Sequence, residues 1–510
     1  MDIAGDGRQR KVIREIPAYL DLKYQMSQTF RNVLILITTQ QRRDSLGCYG
    51  NTYTSTPNLD ELASRGARFC RNYIANPMSQ PNRLSLMSGR MPSNHGLWTC
   101  GLLLDPQPTL PGYLQEKGLS TASIGKIHFT PYGGRSKNME SVAFWREVGN
   151  DYDWNGPYWG FDHVELTIDK ALPQAHYRRW FYANGGDDGM LERNPTTEIR
   201  PIPPRLHEST FVGERSCEYL RSRAADGKPF LLCASFTDPH NPFDPPQEIA
   251  EQYLPQHAPL PAGSASDLDT RPEHYRRYFR GQWHRGKNLD PQHPEGIDET
   301  TTRQRIANTA AMVDLIDRNI GRIMQTLYET HLDESTLVVF TSDHGELLGD
   351  HGLWHKGPFF YEGPITTPLL IAGPGIRQGN VIDALSSAID LAPTVCELMG
   401  IETPAWCEGV SLVPLLTGDR PSVRQHCIIE YRNGFGNNDV ASRTIVTQRM
   451  KYTRYQTGQE ELTDLERDPN ETVNIAAMPE SKDEVMRLRT QLLDACLAGQ
   501  SRYPDQIAQY

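Results

Sequence analysis

Asn32-Val33-Leu34-Ile35-Leu36-Ile37-Thr38 is a continuous apolar run, rich in β-formers, that turns polar at its end. A run of this length without alternation reads as a strand buried on both faces, as in the middle of a parallel sheet. In open α/β sheets ligands gather beyond the carboxyl ends of the strands, so the residues after Ile37 are where a site is expected.

Downstream, the order of signals supports such a sheet. Thr56 stands at an N-cap, Pro57 at the first helical position and Gly66 just past the end of a short helix. Ser79-Gln80-Pro81-Asn82-Arg83-Leu84-Ser85-Leu86-Met87-Ser88-Gly89-Arg90 reads as a turn running into a helix over residues 84–87. Further strands are predicted at 120–124, 230–236, 336–341 and 368–371, and helices at 110–117, 208–225 and 303–329. In the last of these Ile306, Ala310, Val313, Ile320, Ile323 and Leu327 recur at helical spacing and form a core face. Strand and helix alternate, which indicates an α/β fold with a mostly parallel sheet.

Residues 131–205 and 244–302 are rich in Trp, Tyr, Pro, Asp and His and lack a clear period. They are expected to be long ordered loops that roof a pocket. A smaller C-terminal α/β unit is expected from Gly409, with antiparallel strands at 427–431, 442–448 and 451–455 and a closing helix at 479–498. The expected division is an N-terminal extension over 1–30, a catalytic unit over 31–408 and the C-terminal unit over 409–510.

The chain has 510 residues, more than one hydrophobic core usually serves, which favours two packed units. Its 52 basic and 63 acidic residues give a net charge of −11 and no basic tract, which argues against a nucleic-acid binder. Nine scattered cysteines without a Cys-X-X-Cys pair suit a reducing compartment. The polar residues 1–30 carry no apolar run of signal-peptide length, so a cytoplasmic location is expected. No apolar run reaches the roughly 18 residues of a membrane span.

The chemistry-bearing residues fall in a few short segments. Thr341-Ser342-Asp343-His344-Gly345-Glu346 follows a predicted strand, and a carboxylate and an imidazole at a strand end, beside a glycine that lets the backbone turn, suit a divalent cation. Ser79, Pro81, Arg83, Gly89 and Arg90 lie in one short run rich in small residues. These segments, with Gly125-Lys126-Ile127-His128, Asp238-Pro239-His240-Asn241-Pro242-Phe243 and His355-Lys356, resemble the sulfatase family of the alkaline phosphatase superfamily in family order. That family's nucleophile run is Cys-X-Pro-Ser-Arg, whose cysteine is oxidised to formylglycine. Here Ser79 stands in place of the cysteine and Asn82 in place of the serine. Residues 462–471 resemble a C-terminal signature of the same family and read as a charged turn without a catalytic part.

The resemblance implies an α/β/α sandwich of the alkaline phosphatase type. It also implies a hydrolase of sulfate, phosphate or phosphonate monoesters acting on a small anionic ester. In such a site Ser79 or its formylglycine attacks, while Arg83, Lys126 and Lys356 hold the anion, because fixed cations in a dry site stabilise charge on ester oxygens. His128 and His240 would orient the nucleophile and protonate the leaving oxygen. Asp343 and His344, with Gln40, would hold one divalent cation of the calcium, manganese or zinc class.

One family position departs further. Aligned without a gap on Asp44 to Gly50, Thr39 occupies the place of a liganding aspartate. A hard cation is held mainly by carboxylate oxygens, so the ion is expected to be weakly bound or absent. Two routes stay open for Ser79: conversion to formylglycine by a modifying enzyme, or direct attack as an alkoxide. So do two rival functions, a transferase or lyase on an anionic metabolite and a noncatalytic anion-binding protein. The aromatic segments and the closing helix could also serve an oligomer interface.

Overall fold

The computed structural model describes residues 30–133, 137–149, 152–168, 170, 173–282, 294–432 and 440–500. The expected N-terminal extension lies outside them, apart from Phe30. The main sheet is built from β1 (Asn32–Thr38), β2 (Gly66–Tyr73), β3 (Ser120–Gly125), β4 (His163–Leu166), β5 (Phe230–Ser235), β6 (Thr336–Ser342), β7 (Leu369–Ala372) and β8 (Asn380–Ser387). Its order is β4-β3-β5-β1-β6-β7-β2-β8. β1 lies near the middle, parallel to β5 and β6, whereas β7 runs antiparallel to both of its neighbours. A second sheet, of β9 (Cys427–Arg432), β10 (Ala441–Val446), β11 (Met450–Tyr455) and β12 (Glu460–Asp464), is antiparallel.

Helices cover both faces of the main sheet, and β1 shows why its sequence is apolar throughout. Successive strand side chains point to opposite faces. Val33, Ile35 and Ile37 therefore enter one core with Leu84, Leu86 and Met87 of α2 (Ser79–Ser88), Leu110 and Leu114 of α3 (Leu110–Glu116), and Leu391 and Val395 of a helix at Leu391–Leu398. Leu34 and Leu36 enter the other core with Leu59 and Leu62 of α1 (Pro57–Ser64), Phe211 and Val212 of α4 (Glu208–Asp226), and Val313, Ile316 and Ile320 of α5 (Glu299–Glu329). Each such side chain contributes about 1.5–3 kcal/mol on burial. The second sheet packs Ile445, Tyr452 and Leu462 against Val485, Leu488 and Leu492 of α6 (Lys482–Gln500).

Several sequence expectations change. Residues 131–205 and 244–302 are not simply loops: they hold β4, helices at Val142–Val148, Ala175–Ala183 and Glu273–Phe279, and several 3-10 turns. Their periodicity is hidden because tryptophan and tyrosine pack at element ends as well as on faces. Thr56 is the N-cap residue of α1, yet its side chain does not cap the helix; its hydroxyl accepts the Gly47 N–H at 2.9 Å instead. β2 and β8 escape an apolar-run search because they form one side of the sheet, where Arg71 pairs with Asp383 at 2.9 Å. After β12, Asp464 Oδ1 accepts the Glu466 and Arg467 N–H groups at 3.2 Å, as expected of a charged turn. Among the described residues no helix is long and apolar enough to cross a membrane.

Candidate active site

The carboxyl ends of β1 and β6 meet in register, Thr38 beside Ser342. Just beyond, the Gln40 N–H donates to Asp343 Oδ1 at 2.9 Å, and Gln40 takes a left-handed backbone, φ 64°. Gly345 follows because the chain passes so close to Gly363 that a Cβ would lie 1.9 Å from its carbonyl oxygen. That turn aims the His344 ring inward. Nδ1 of His344 lies 2.8 Å from the Gly345 carbonyl, which can only accept, so this nitrogen carries the proton. Nε2 is left as an acceptor, 2.8 Å from Ser79 Oγ. Burial pushes His344 down to about 4, which keeps the ring neutral.

Ser79 opens α2, with Met78 at the N-cap, and is only 3% exposed. The unpaired N–H groups of a helix start favour negative charge there. The residues around it fix this position. Gln80 donates to the Leu102 and Phe129 carbonyls at 2.7 and 3.0 Å. Asn82 accepts the Ala75 N–H at 2.8 Å and donates to the Asp343 carbonyl.

Arg83, one turn further on, is turned into the protein. Its Nε donates to Asp343 Oδ2 at 2.7 Å and its Nη2 to the Thr39 hydroxyl at 2.7 Å. Nη1 reaches the Lys126 carbonyl and Ser235 Oγ, both at 3.0 Å. The sequence suggests an anion-holding Arg83, but most of its fork is spent on protein acceptors. Against the upward push of burial, His344, Arg83 and Lys126 hold the Asp343 carboxyl well below the usual carboxylate range.

Lys126 and His128 leave the end of β3. Gly125 makes this exit feasible: its φ is 104°, and a Cβ would meet the Ser235 carbonyl oxygen at 1.9 Å. Glu140 then gathers the N–H groups of His128, Phe129 and Thr130, the last two at 2.9 and 3.0 Å. The Lys126 ammonium lies 5.6 Å from the Tyr132 ring, which stacks on His128 at 3.9 Å. Burial and the neighbouring Arg83 charge lower Lys126 to about 7. Burial and Lys126 likewise hold His128 well below its ordinary value.

Lys356 and His240 form the remaining side. The Lys356 ammonium donates to Gln40 Oε1 and lies 2.7 Å from His240 Nε2. His240 Nδ1 is 2.6 Å from the Asn241 carbonyl and so carries the ring's proton. His240 therefore presents a lone pair to Lys356, and the proton available here is the ammonium's. Gln40 Nε2 donates in turn to Glu346 and, at 3.3 Å, to Asn241 Oδ1.

All nine residues singled out in the sequence thus belong to one neighbourhood. Gln40, Asp343, Arg83, Lys126, Lys356 and His240 are joined by hydrogen bonds; Ser79 and His344 bond to each other, with His344 Nε2 3.6 Å from Asp343 Oδ1, and the Lys126 charge acts on His128. Three participants were missed. Glu346 lies inside a quoted segment but pairs with Gln40, far away in sequence. Glu140 and Lys170 sit in the aromatic segment, where no local spacing marks them. Lys170 lies below the His240 loop, 2.8 Å from both Asp238 Oδ1 and Asp244 Oδ1.

The residues expected to hold a divalent cation do not fit one. Asp343 supplies the single carboxylate, and each of its oxygens already accepts a hydrogen bond. Gln40 Oε1 is taken by an ammonium, and the Thr39 hydroxyl donates to the Phe236 carbonyl at 2.8 Å. A group with ligand spacing lies elsewhere, at His207, Glu208 and Asp238. There Lys170 supplies the cation, and His207 Nδ1 accepts the Ser209 N–H at 3.2 Å, which leaves its other nitrogen protonated.

The sequence profile of the Sulfatase family matches residues 31–401. The chain belongs to the sulfatase family. A second profile, N-sulphoglucosamine sulphohydrolase, C-terminal, matches residues 349–497. Among sulfatase relatives, the arylsulfatase of Clostridium perfringens is 28% identical over 93% of this chain and 96% of its own. The choline-sulfatase of Rhizobium meliloti is 30% identical over 88% and 83%. The fold is shared with the phosphonate monoester hydrolase SpPMH from Silicibacter pomeroyi, with a TM-score of 0.77 at 23% identity over 92% and 95% of the two chains.

Proposed function

We propose that this sulfatase-family chain hydrolyses sulfate, phosphate or phosphonate monoesters by direct attack of the Ser79 hydroxyl. The observation that carries the reading is the 2.8 Å contact between Ser79 Oγ and the unprotonated nitrogen of His344 at the start of a helix. His344 Nε2 takes the hydroxyl proton as Oγ bonds to sulfur or phosphorus and the ester oxygen departs. Lys126 and Lys356 stabilise the nonbridging oxygens, and Lys356, held by His240, gives a proton to the leaving oxygen. Water then cleaves the seryl ester, giving one proton to the Lys356 amine, and His344 returns its own to Ser79. The nine cysteines, all free, agree with a reducing, cytoplasmic setting.

The test is turnover of aryl sulfate, aryl phosphate and aryl phosphonate esters, with intact mass of the Ser79 peptide before and during reaction. The expected result is turnover of one of these classes by a peptide of unmodified mass, with a sulfo or phosphono adduct on Ser79 under quench. A peptide lacking two hydrogens would show formylglycine and remove the direct-attack step. Absence of turnover on every class would sink the hydrolytic reading.

Lys126 gives this site a pH signature. A lysine lowered to about 7 is charged below that pH and neutral above it. Sulfate, whose own charge is constant there, should inhibit progressively less as the pH rises through neutrality. A charge-assisted hydrogen bond is worth about 1.5–3 kcal/mol, so the inhibition constant should rise roughly tenfold or more. Lys126→Arg should flatten the profile, because guanidinium stays protonated. Equal pH profiles for the two proteins would count against Lys126 as an anion-holding group.

A further inference from the structure

Family resemblance asks for a divalent ion beside Asp343, yet a side-chain cation is already there. We infer that the Arg83 guanidinium is the resident cation of this centre and that the chain binds no divalent ion at the Asp343 site. The part this charge plays in turnover rests on the hydrolytic reading; its occupancy of the site does not.

Three independent features support the assignment. First, the guanidinium bonds to the groups that an ion would need. Nε is on Asp343 Oδ2 at 2.7 Å, and Nη2 is on Thr39 Oγ1 at 2.7 Å, at the position of the family's liganding aspartate. A carboxylate at residue 39 would bring a second negative charge; threonine brings a neutral oxygen that suits a guanidinium N–H. Second, Arg83 is fixed by two further bonds, to the Lys126 carbonyl and Ser235 Oγ, and is only 3% exposed. Vacating the site would strand a buried guanidinium, and an unpaired buried charge is costly.

Third, the surrounding charge opposes another cation. The Lys356 ammonium bonds to Gln40, whose N–H bonds to Asp343, and Lys126 is tied to Arg83 through its carbonyl, with its charge acting on Asp343. Calcium takes six to eight oxygen ligands, preferably carboxylates. Here one carboxylate would face a divalent ion together with Arg83 and two lysines. Glu346 adds no second carboxylate ligand, because its oxygens are engaged by Gln40 and by the Leu348 and His355 N–H groups. With Arg83 in place, the Asp343 charge is matched one for one, and His344 Nε2 stays free to accept from Ser79.

The experiment measures metal content and metal response in the full chain and in Thr39→Asp. Purified wild type should contain calcium, manganese and zinc far below one ion per chain by elemental analysis, and added manganese or calcium should not shift its melting temperature. Thr39→Asp restores the second carboxylate and should gain a manganese-dependent upward shift. A stoichiometric divalent ion in the wild type, or equal shifts in both proteins, would overturn the inference. No shift in either protein would leave the guanidinium in possession of the site even against two carboxylates, which supports it. Ester turnover is measured on the same samples. Metal-free protein without turnover would sink the hydrolytic reading alone, whereas metal-loaded protein that turns over would sink this inference alone.

Discussion

Ser79→Ala lowers kcat on any accepted ester by roughly 10⁴ or more, on the scale seen when a nucleophile is removed from a triad enzyme. The loss falls on kcat rather than on ground-state binding, because Lys126 and Lys356 remain to hold the anion. Folding should survive. Alanine is a good helix former at the start of α2, and the main structural cost is the buried His344 Nε2 left without its 2.8 Å partner. An unsatisfied buried acceptor costs about 1–3 kcal/mol. The measurement is a pair: steady-state kinetics on the ester that the wild type prefers, and a melting curve. A variant that keeps wild-type kcat would remove Ser79 from the reaction and shift attention to a water activated at His344. A variant that melts far below wild type would show instead that the serine is needed to hold the helix start.

Part of this site was legible in the sequence because it lies in short contiguous segments that resemble those of the sulfatase family. Ser79 and Arg83 lie four residues apart on one helix, and Asp343 and His344 follow a strand whose apolar run declares it. β1 was legible because both of its faces are buried. What sequence could not supply were partners separated by hundreds of residues. Gln40 looks like a metal donor until Lys356 is found on its carbonyl oxygen. Arg83 looks like an anion clamp until Thr39 and Asp343 are found to occupy its fork. β4 remained hidden because a four-residue strand at the edge of a sheet needs little apolar sequence. For Gln40 and Arg83 the missing information is a long-range pairing, which residue type and period do not encode.

Lys170 is such a partner, and its removal is expected to have the largest effect on stability. Its side chain is 4% exposed, and the ammonium contacts Asp238 Oδ1, Asp244 Oδ1 and the Pro242 carbonyl, each at 2.8 Å. Those residues bracket His240, so one cation ties together the loop that carries it. Arg200 Nε lies 2.8 Å from Asp244 Oδ2, and burial with the nearby Asp238 charge pushes Glu208 up, toward its neutral form. Two cations therefore balance two carboxylates. Lys170→Met removes one cation while filling similar space, and breaking a buried pair in this way costs about 3–5 kcal/mol. The melting temperature should fall by roughly 3–5 °C. Displacement of His240, and with it of Lys356, should lower kcat by about 10–100-fold, since small misplacements are expensive in a positioned site. Adding Asp244→Asn removes the stranded charge and should recover part of the stability, a coupling that a double-mutant cycle measures. Recovery of stability without recovery of kcat would show that Lys170 positions the His240 loop as well as supporting the fold. Melting temperature and kcat both unchanged in Lys170→Met would show that this buried pairing does neither.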